Sequence, residues 1–234
     1  MCGRVALYSP TTRMARLLDA VLASGIDPDG VPSWNLGPMR TLFGVTQLDE
    51  TRTMHDFRWG LVPSWSKDPS MGNLTINARC ETVAEKPSFR EAFIKRPCAI
   101  PVDGFFEWGH LGNSPKQPHY FTRRDGEPMV FAGLYEYWTD TSIPNSPVLA
   151  TCTVITTEPG VDIDGIHDRQ PVVLELDSVE QWINTNKYSP QQRYELLKPS
   201  QKGILTHVGV GKDVGSIYND GPEIITPEQP NSLF

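Results

Sequence analysis

Cys2 stands directly behind the initiator in Met1-Cys2-Gly3-Arg4. A side chain this small lets an aminopeptidase remove Met1, which leaves a cysteine carrying a free α-amine beside its thiol. The amine titrates near ~8 and the thiol near ~8.5, so both reactive forms are accessible around neutral pH. Such a 1,2-aminothiol can form a Schiff base with an aldehyde and then close a five-membered thiazolidine ring through sulfur. The dipeptide alone carries little weight. The chemistry requires a pocket, a proton donor or acceptor, and a source of aldehyde.

Several stretches offer those groups. Glu107 lies between Phe106 and Trp108 in an apolar run. If it is buried there, desolvation raises its pKa towards neutrality and suits it to proton transfer; a strand-end glutamate facing water, or one paired with an arginine, is the plainer alternative. His167 sits in Gly165-Ile166-His167-Asp168-Arg169-Gln170-Pro171, where it can accept and return protons or serve as an ordinary loop histidine. Asn77 and Arg79 are two apart, so in an extended chain both leave the same face. Together they suit a carbonyl or hydroxyl and a phosphate, or they brace a loop. Trp65, between Pro63 and Pro69, is either an aromatic platform for a base or a partly buried core residue. Arg4, Arg79 and Arg169 each stand within two residues of one of these candidates. No phosphate-binding glycine loop, dinucleotide fingerprint or metal-ligand cluster is present in the sequence.

The elements that must position these groups are short. The 234 residues fit one domain spanning 1–234, and the net charge of −7 argues against indiscriminate coating of nucleic acid. Four dispersed cysteines without a CxxC pair argue against zinc, and with no secretory leader or membrane-length apolar run a cytoplasmic protein with reduced thiols is expected. Strands are predicted over 3–9, 41–47, 52–61, 148–157, 172–174 and 203–208, and the apolar run 98–108 is broken by Asp103-Gly104. Met14, Leu17, Leu18, Val21 and Leu22 have helical spacing, predicting one helix from Thr11 or Thr12 to Gly25. The stretches 27–38 and 76–82 read as polar loops. Ser88 to Glu91 reads as a capping box opening a helix through Lys95, and 120–138 as a β-hairpin about Asp125-Gly126. Short capped helices are predicted over 177–185 and 189–197. The sum is an α+β fold, a single domain with a central antiparallel, barrel-like β-sheet and peripheral helices.

The ordered set Met1-Cys2-Gly3-Arg4, Arg58 to Trp65, Ile76 to Arg79, Glu81 to Phe89, Asp103 to Trp108, Ile166 to Arg169 and Asn219 to Glu223 resembles the SOS response-associated peptidase (SRAP) family over nearly the whole chain. The resemblance implies an abasic-site sensor that cross-links covalently to abasic sites in single-stranded DNA, whose opened sugar supplies the aldehyde. It implies Cys2 as nucleophile, Asn77 orienting the sugar, Glu107 managing protons in ring opening and Schiff-base formation, and His167 assisting transfer, reversal and β-elimination. Arg4, Arg79 and Arg169 would hold phosphates. Trp65 and Trp108 would face bases or sugar, and Asn35 and Pro38 would contribute to the DNA surface. The family pattern Asn-Val-Ala-Pro is Asn35-Leu36-Gly37-Pro38 here, and Gln170 replaces a frequent Met; both departures bear on DNA contact. No cofactor, metal or membrane is implied, and a monomer is expected. Two other functions fit the same residues. One is an N-terminal-nucleophile hydrolase or self-processing peptidase using Cys2. The other is a non-covalent single-strand binder, whose affinity would fall steeply with salt.

Overall fold

The computed structural model describes residues 2–109 and 116–228. Thirteen strands and four short α-helices are formed among them. Five strands close a barrel: β4 (Thr41–Leu48), β5 (Thr51–Trp59), β7 (Pro97–Val102), β10 (Met129–Trp138) and β11 (Leu149–Thr157). Neighbours in the order β5-β4-β7-β10-β11 run antiparallel. Closure comes from a parallel pair between β11 and β5, Thr151 opposite Arg58 and Cys152 opposite Trp59. The sheet is therefore barrel-like, as expected, and antiparallel except where parallel strands attach. Its interior is filled by side chains such as Leu42, Val45, Phe57, Ile100 and Val154, all essentially without solvent exposure.

A second sheet lies beside the barrel in the order β13-β9-β8-β1-β3, formed by β1 (Val5–Leu7), β3 (Ser33–Leu36), β8 (Gly104–Gly109), β9 (Gln117–Arg123) and β13 (Leu205–Gly209). The chain passes from barrel to second sheet at Asp103. Its carboxylate accepts hydrogen bonds from the Tyr8 and Ser9 amides at 2.6 and 2.8 Å, fixing the corner to the end of β1. Gly104 is required there because a Cβ would collide with the Tyr120 ring. The chain returns to the barrel through Asp125-Gly126, with Gly126 at φ +79°.

That return corrects the predicted hairpin over 120–138. β9 pairs with β8 and β13, whereas β10 pairs with β7 and β11, so the turn joins two sheets. The predicted helix over 11–25 is also shorter. α1 covers Thr11–Leu17, Asp19 adopts φ +51°, and β2 (Val21–Leu22) pairs in parallel with β5. Apolar spacing cannot separate a helix of this length from a turn followed by a β-branched strand. The loops over 27–38 and 76–82 each contain a strand, β3 and β6 (Asn77–Arg79). α2 (Arg90–Lys95) starts from Phe89 without a side-chain cap; buried Phe89 sets its start by packing. Beyond β12 (Gln170–Pro171), α3 (Val179–Ile183) lacks a side-chain cap, while α4 (Pro190–Tyr194) has a full capping box from Ser189 and Gln192.

A candidate active site around Cys2

β1 is an interior strand of the second sheet, paired with β3 on one side and β8 on the other. Arg4, one residue before it, accepts the Phe106 amide hydrogen at 3.0 Å through its carbonyl. The preceding residues are thus drawn in between sheet and barrel, and Cys2 is fully buried. Burial raises its thiol pKa well above the usual thiol range. The charge of Glu107 adds to that rise, and a hydrogen bond from the Arg4 amide opposes it. The thiol is therefore held neutral, with Glu107 in electrostatic reach.

Asn77 arrives from the barrel side. β6 runs parallel to β11, Asn77 opposite Val154 and Arg79 opposite Thr156. The alternation is as read from the sequence: Ala78 is buried, Asn77 half-buried and Arg79 exposed. Asn77 Nδ2 donates to the Cys2 carbonyl at 2.6 Å. Its Oδ1 is buried and has no hydrogen-bond partner among the described residues.

Glu107 comes from β8 and is 2% exposed. Burial, with the Asp168 charge adding, pushes its pKa up to about 7. His167 follows β11 in a turn where the Ile166 and His167 amides both donate to the Ile163 carbonyl and Gly165 has φ +80°. The turn rests on the end of β8: a Cβ on Gly109 would press on Ile166. His167 Nε2 thereby lies 3.4 Å from Glu107 Oε2. Its Nδ1 accepts the Arg169 amide hydrogen at 3.0 Å, which assigns the neutral ring's proton to Nε2, facing Glu107. When the ring is protonated, Nδ1–H finds the Asp168 carboxylate and the Arg169 carbonyl, each at 3.1 Å. Both states have partners, although burial lowers the pKa. A carboxyl near 7 beside such an imidazole can give and take protons at neutral pH.

The outer residues divide. Asn35, expected on the DNA surface, is buried, and its Nδ2 donates to the Val214, Ser216 and Asn219 carbonyls at 3.2, 2.9 and 2.8 Å. It pins the C-terminal segment to β3. Arg4, expected at a phosphate, directs Nη1 to Asn35 Oδ1 and the Val214 carbonyl, both at 2.6 Å, and lies 5.8 Å from the Trp108 ring centre. Its guanidinium is a brace between the site and that segment. Arg169 is held in two hydrogen bonds by Glu81 at 2.6 and 3.0 Å and donates to the Thr156 carbonyl at 2.7 Å. Arg79 points to solvent, Trp65 is 56% exposed, and Pro38 and Trp108 are half-buried. One cation was missed in the sequence. Lys116 follows the hairpin opening where Gly109 faces Gln117, and its charge acts on both Glu107 and His167. Nothing in its local sequence marks it, because only the β8–β9 register brings it there.

Fold and site define an α+β barrel protein whose buried Cys2 meets an amide and a carboxyl, the carboxyl backed by an imidazole, from three separate elements. The family described as SOS response associated peptidase (SRAP) matches residues 1–217. Among similar proteins, abasic site processing protein YoqW of Bacillus subtilis is 36% identical over 230 residues, covering 96% of this chain and 99% of its own. Abasic site processing protein HMCES of Gallus gallus is 31% identical over 266 residues, covering 97% of this chain and 78% of its own. A crystal structure of a Bacteroides thetaiotaomicron protein has the same fold, with a TM-score of 0.85 and 25% identity over 97% of this chain and 100% of that one. The chain belongs to the SRAP family.

Proposed function

We propose that the protein captures abasic sites in single-stranded DNA by a covalent thiazolidine link to Cys2. The observation that carries this reading is the convergence of Asn77 from β6 and Glu107 from β8 on Cys2, with His167 of the turn after β11 set against Glu107. The names of the relatives support the substrate.

With Met1 attached, the Cys2 nitrogen is a peptide amide and cannot attack. Hydrolysis of the Met1–Cys2 bond makes it an amine. The opened abasic sugar presents an aldehyde at C1′. The amine nitrogen forms a bond to C1′, the carbonyl oxygen takes a proton, and a second protonation expels it as water to leave an imine. Sγ then bonds to C1′ while its proton passes to nitrogen, closing the ring. One water is released overall. Glu107, near half-protonated at neutral pH, supplies the proton that water departure needs and is in place to take one from the neutral thiol. His167 exchanges protons with Glu107. Asn77 Oδ1 accepts a sugar hydroxyl. At the imine stage, loss of a C2′ proton permits β-elimination of the 3′ phosphate, so slow strand incision accompanies capture.

The test is to mix the Met1-processed protein with single-stranded DNA bearing one abasic site and run a denaturing gel. A shifted band that survives denaturant is expected. Absence of the band, or a band of equal intensity from Cys2→Ala, rejects the proposal.

A further inference from the structure

A pair of histidines lies on the same sheet as Glu107, on β9 and β13. His119 on β9 and His207 on β13 place their Nδ1 atoms 3.2 Å apart, with the rings at 72°. Two nitrogens at that separation, each about 2.05 Å from a shared ion, subtend about 100° at it, close to the tetrahedral angle of zinc. The strands hold the pair. His119 faces Gly209 and His207 faces Phe121 across the β9–β13 ladder, and the Phe121 ring lies 5.1 Å from His207. His207 is exposed and His119 half-buried, so an ion can enter from solvent. Two titratable groups adjoin the pair: Glu107 faces His119 across the β8–β9 ladder, and Asp162 acts on His207; the Asp162 oxygens accept the Gly203 and Leu205 amides at 2.8 to 3.0 Å. Asp162 contributes negative charge without occupying the nitrogens.

We propose that His119 and His207 form a two-imidazole chelate for a late divalent transition ion, with zinc and nickel the natural occupants and water completing the shell. The borderline-soft imidazole pair selects these ions over magnesium or calcium. No larger group of His, Cys, Asp or Glu suited to a metal occurs among the described residues, so the affinity is that of a bidentate site and binding is reversible. In the empty pair one ring donates Nδ1–H to the other. Moving that proton to Nε2 of the same ring frees both Nδ1 lone pairs, so a neutral pair binds the ion without net proton loss. Acidification that charges either ring expels the ion.

The experiment uses untagged full-length protein carrying Cys2→Ala, so that the N-terminal aminothiol does not itself chelate. Calorimetric titration with zinc chloride is expected to show one site of micromolar affinity, together with a rise in Tm of roughly 5–11 °C at hundredfold excess over Kd. His207→Ala, at an exposed position, is expected to weaken binding about tenfold or more and to remove the Tm rise; His119→Gln should do the same. His55→Ala, on the barrel, should leave zinc binding intact. Absence of saturable binding, or equal affinity in the parent and His207→Ala, overturns the proposal.

Discussion

Among the described residues two glutamates are buried on strands, and their partners differ. Glu136 on β10 is 6% exposed, and its Oε2 lies 2.6 Å from Arg96 Nη2. Glu107 on β8 is 2% exposed, and His167 Nε2 lies 3.4 Å from its Oε2. Burial raises the pKa of both. At Glu136 a guanidinium that never loses its charge opposes the rise. At Glu107 the neighbour is an imidazole that can become neutral, and the carboxyl reaches about 7. An arginine partner makes a buried carboxylate a structural element, and a histidine partner leaves it able to exchange protons. The arginines repeat the contrast: Arg4 and Arg169 are committed to internal carbonyl and carboxylate partners, while Arg79 is open to solvent.

The largest effect expected is loss of the reacting atoms. Cys2→Ala keeps an α-amine but removes the sulfur that closes the ring. The denaturant-stable adduct should vanish on a gel, while reducible imine remains trappable by borohydride. Exchange at the two glutamates comes next. Glu107→Gln should slow adduct formation about a hundred- to ten-thousand-fold, the usual range for a lost acid–base group. Glu136→Gln should leave that rate unchanged and instead cost about 2–4 kcal/mol in chemical denaturation, because Arg96 loses its partner. Equal effects of the two substitutions on rate would dissolve the comparison.

A smaller effect separates them in stability against pH. A carboxyl whose folded pKa is raised favours the fold while protonated. The contribution of Glu107 is complete below its unfolded value of ~4.3 and is lost as pH rises through about 7. Thermal melts should therefore show Glu107→Gln gaining on the parent protein between pH 5 and pH 8, measured at about those two values. A difference in Tm that stays constant across that range would contradict the raised pKa.

Much of this contrast was visible in the order of residues. The apolar neighbours of Glu107 implied its burial, and the spacing of Asn77 and Arg79 implied their shared face. Both are local properties of a strand. Whether Glu107 met an arginine was not local, since the answer depends on a turn that begins after β11 and rests on Gly109. The same limit hid the parallel pairing of β6 with β11, the departure of β9 and β10 into different sheets, and the approach of Lys116. It also hid the commitment of Arg4 and Asn35 to Val214, more than 170 positions away along the chain. The resemblance supplied the ordered set of stretches, but it assigned Arg4, Arg79 and Arg169 one common role, and the hydrogen bonds divide them.

The arginines give the smallest expected effects and the finest test of that division. Arg79→Ala should weaken binding of single-stranded DNA several-fold, lower the slope of log K against log salt by about 0.7, and leave Tm unchanged, since an exposed side chain is all that is lost. Arg169→Ala removes the partner of Glu81, whose pKa its hydrogen bonds hold down to about 2, and the donor to the Thr156 carbonyl. A drop in Tm is expected there, together with release of the His167 turn, so its effect on DNA cannot be read from affinity alone. The salt slope distinguishes the two: a phosphate contact changes it, and a brace lowers affinity at every salt concentration without changing it. An unchanged slope for Arg79→Ala would return Arg79 to the structural group.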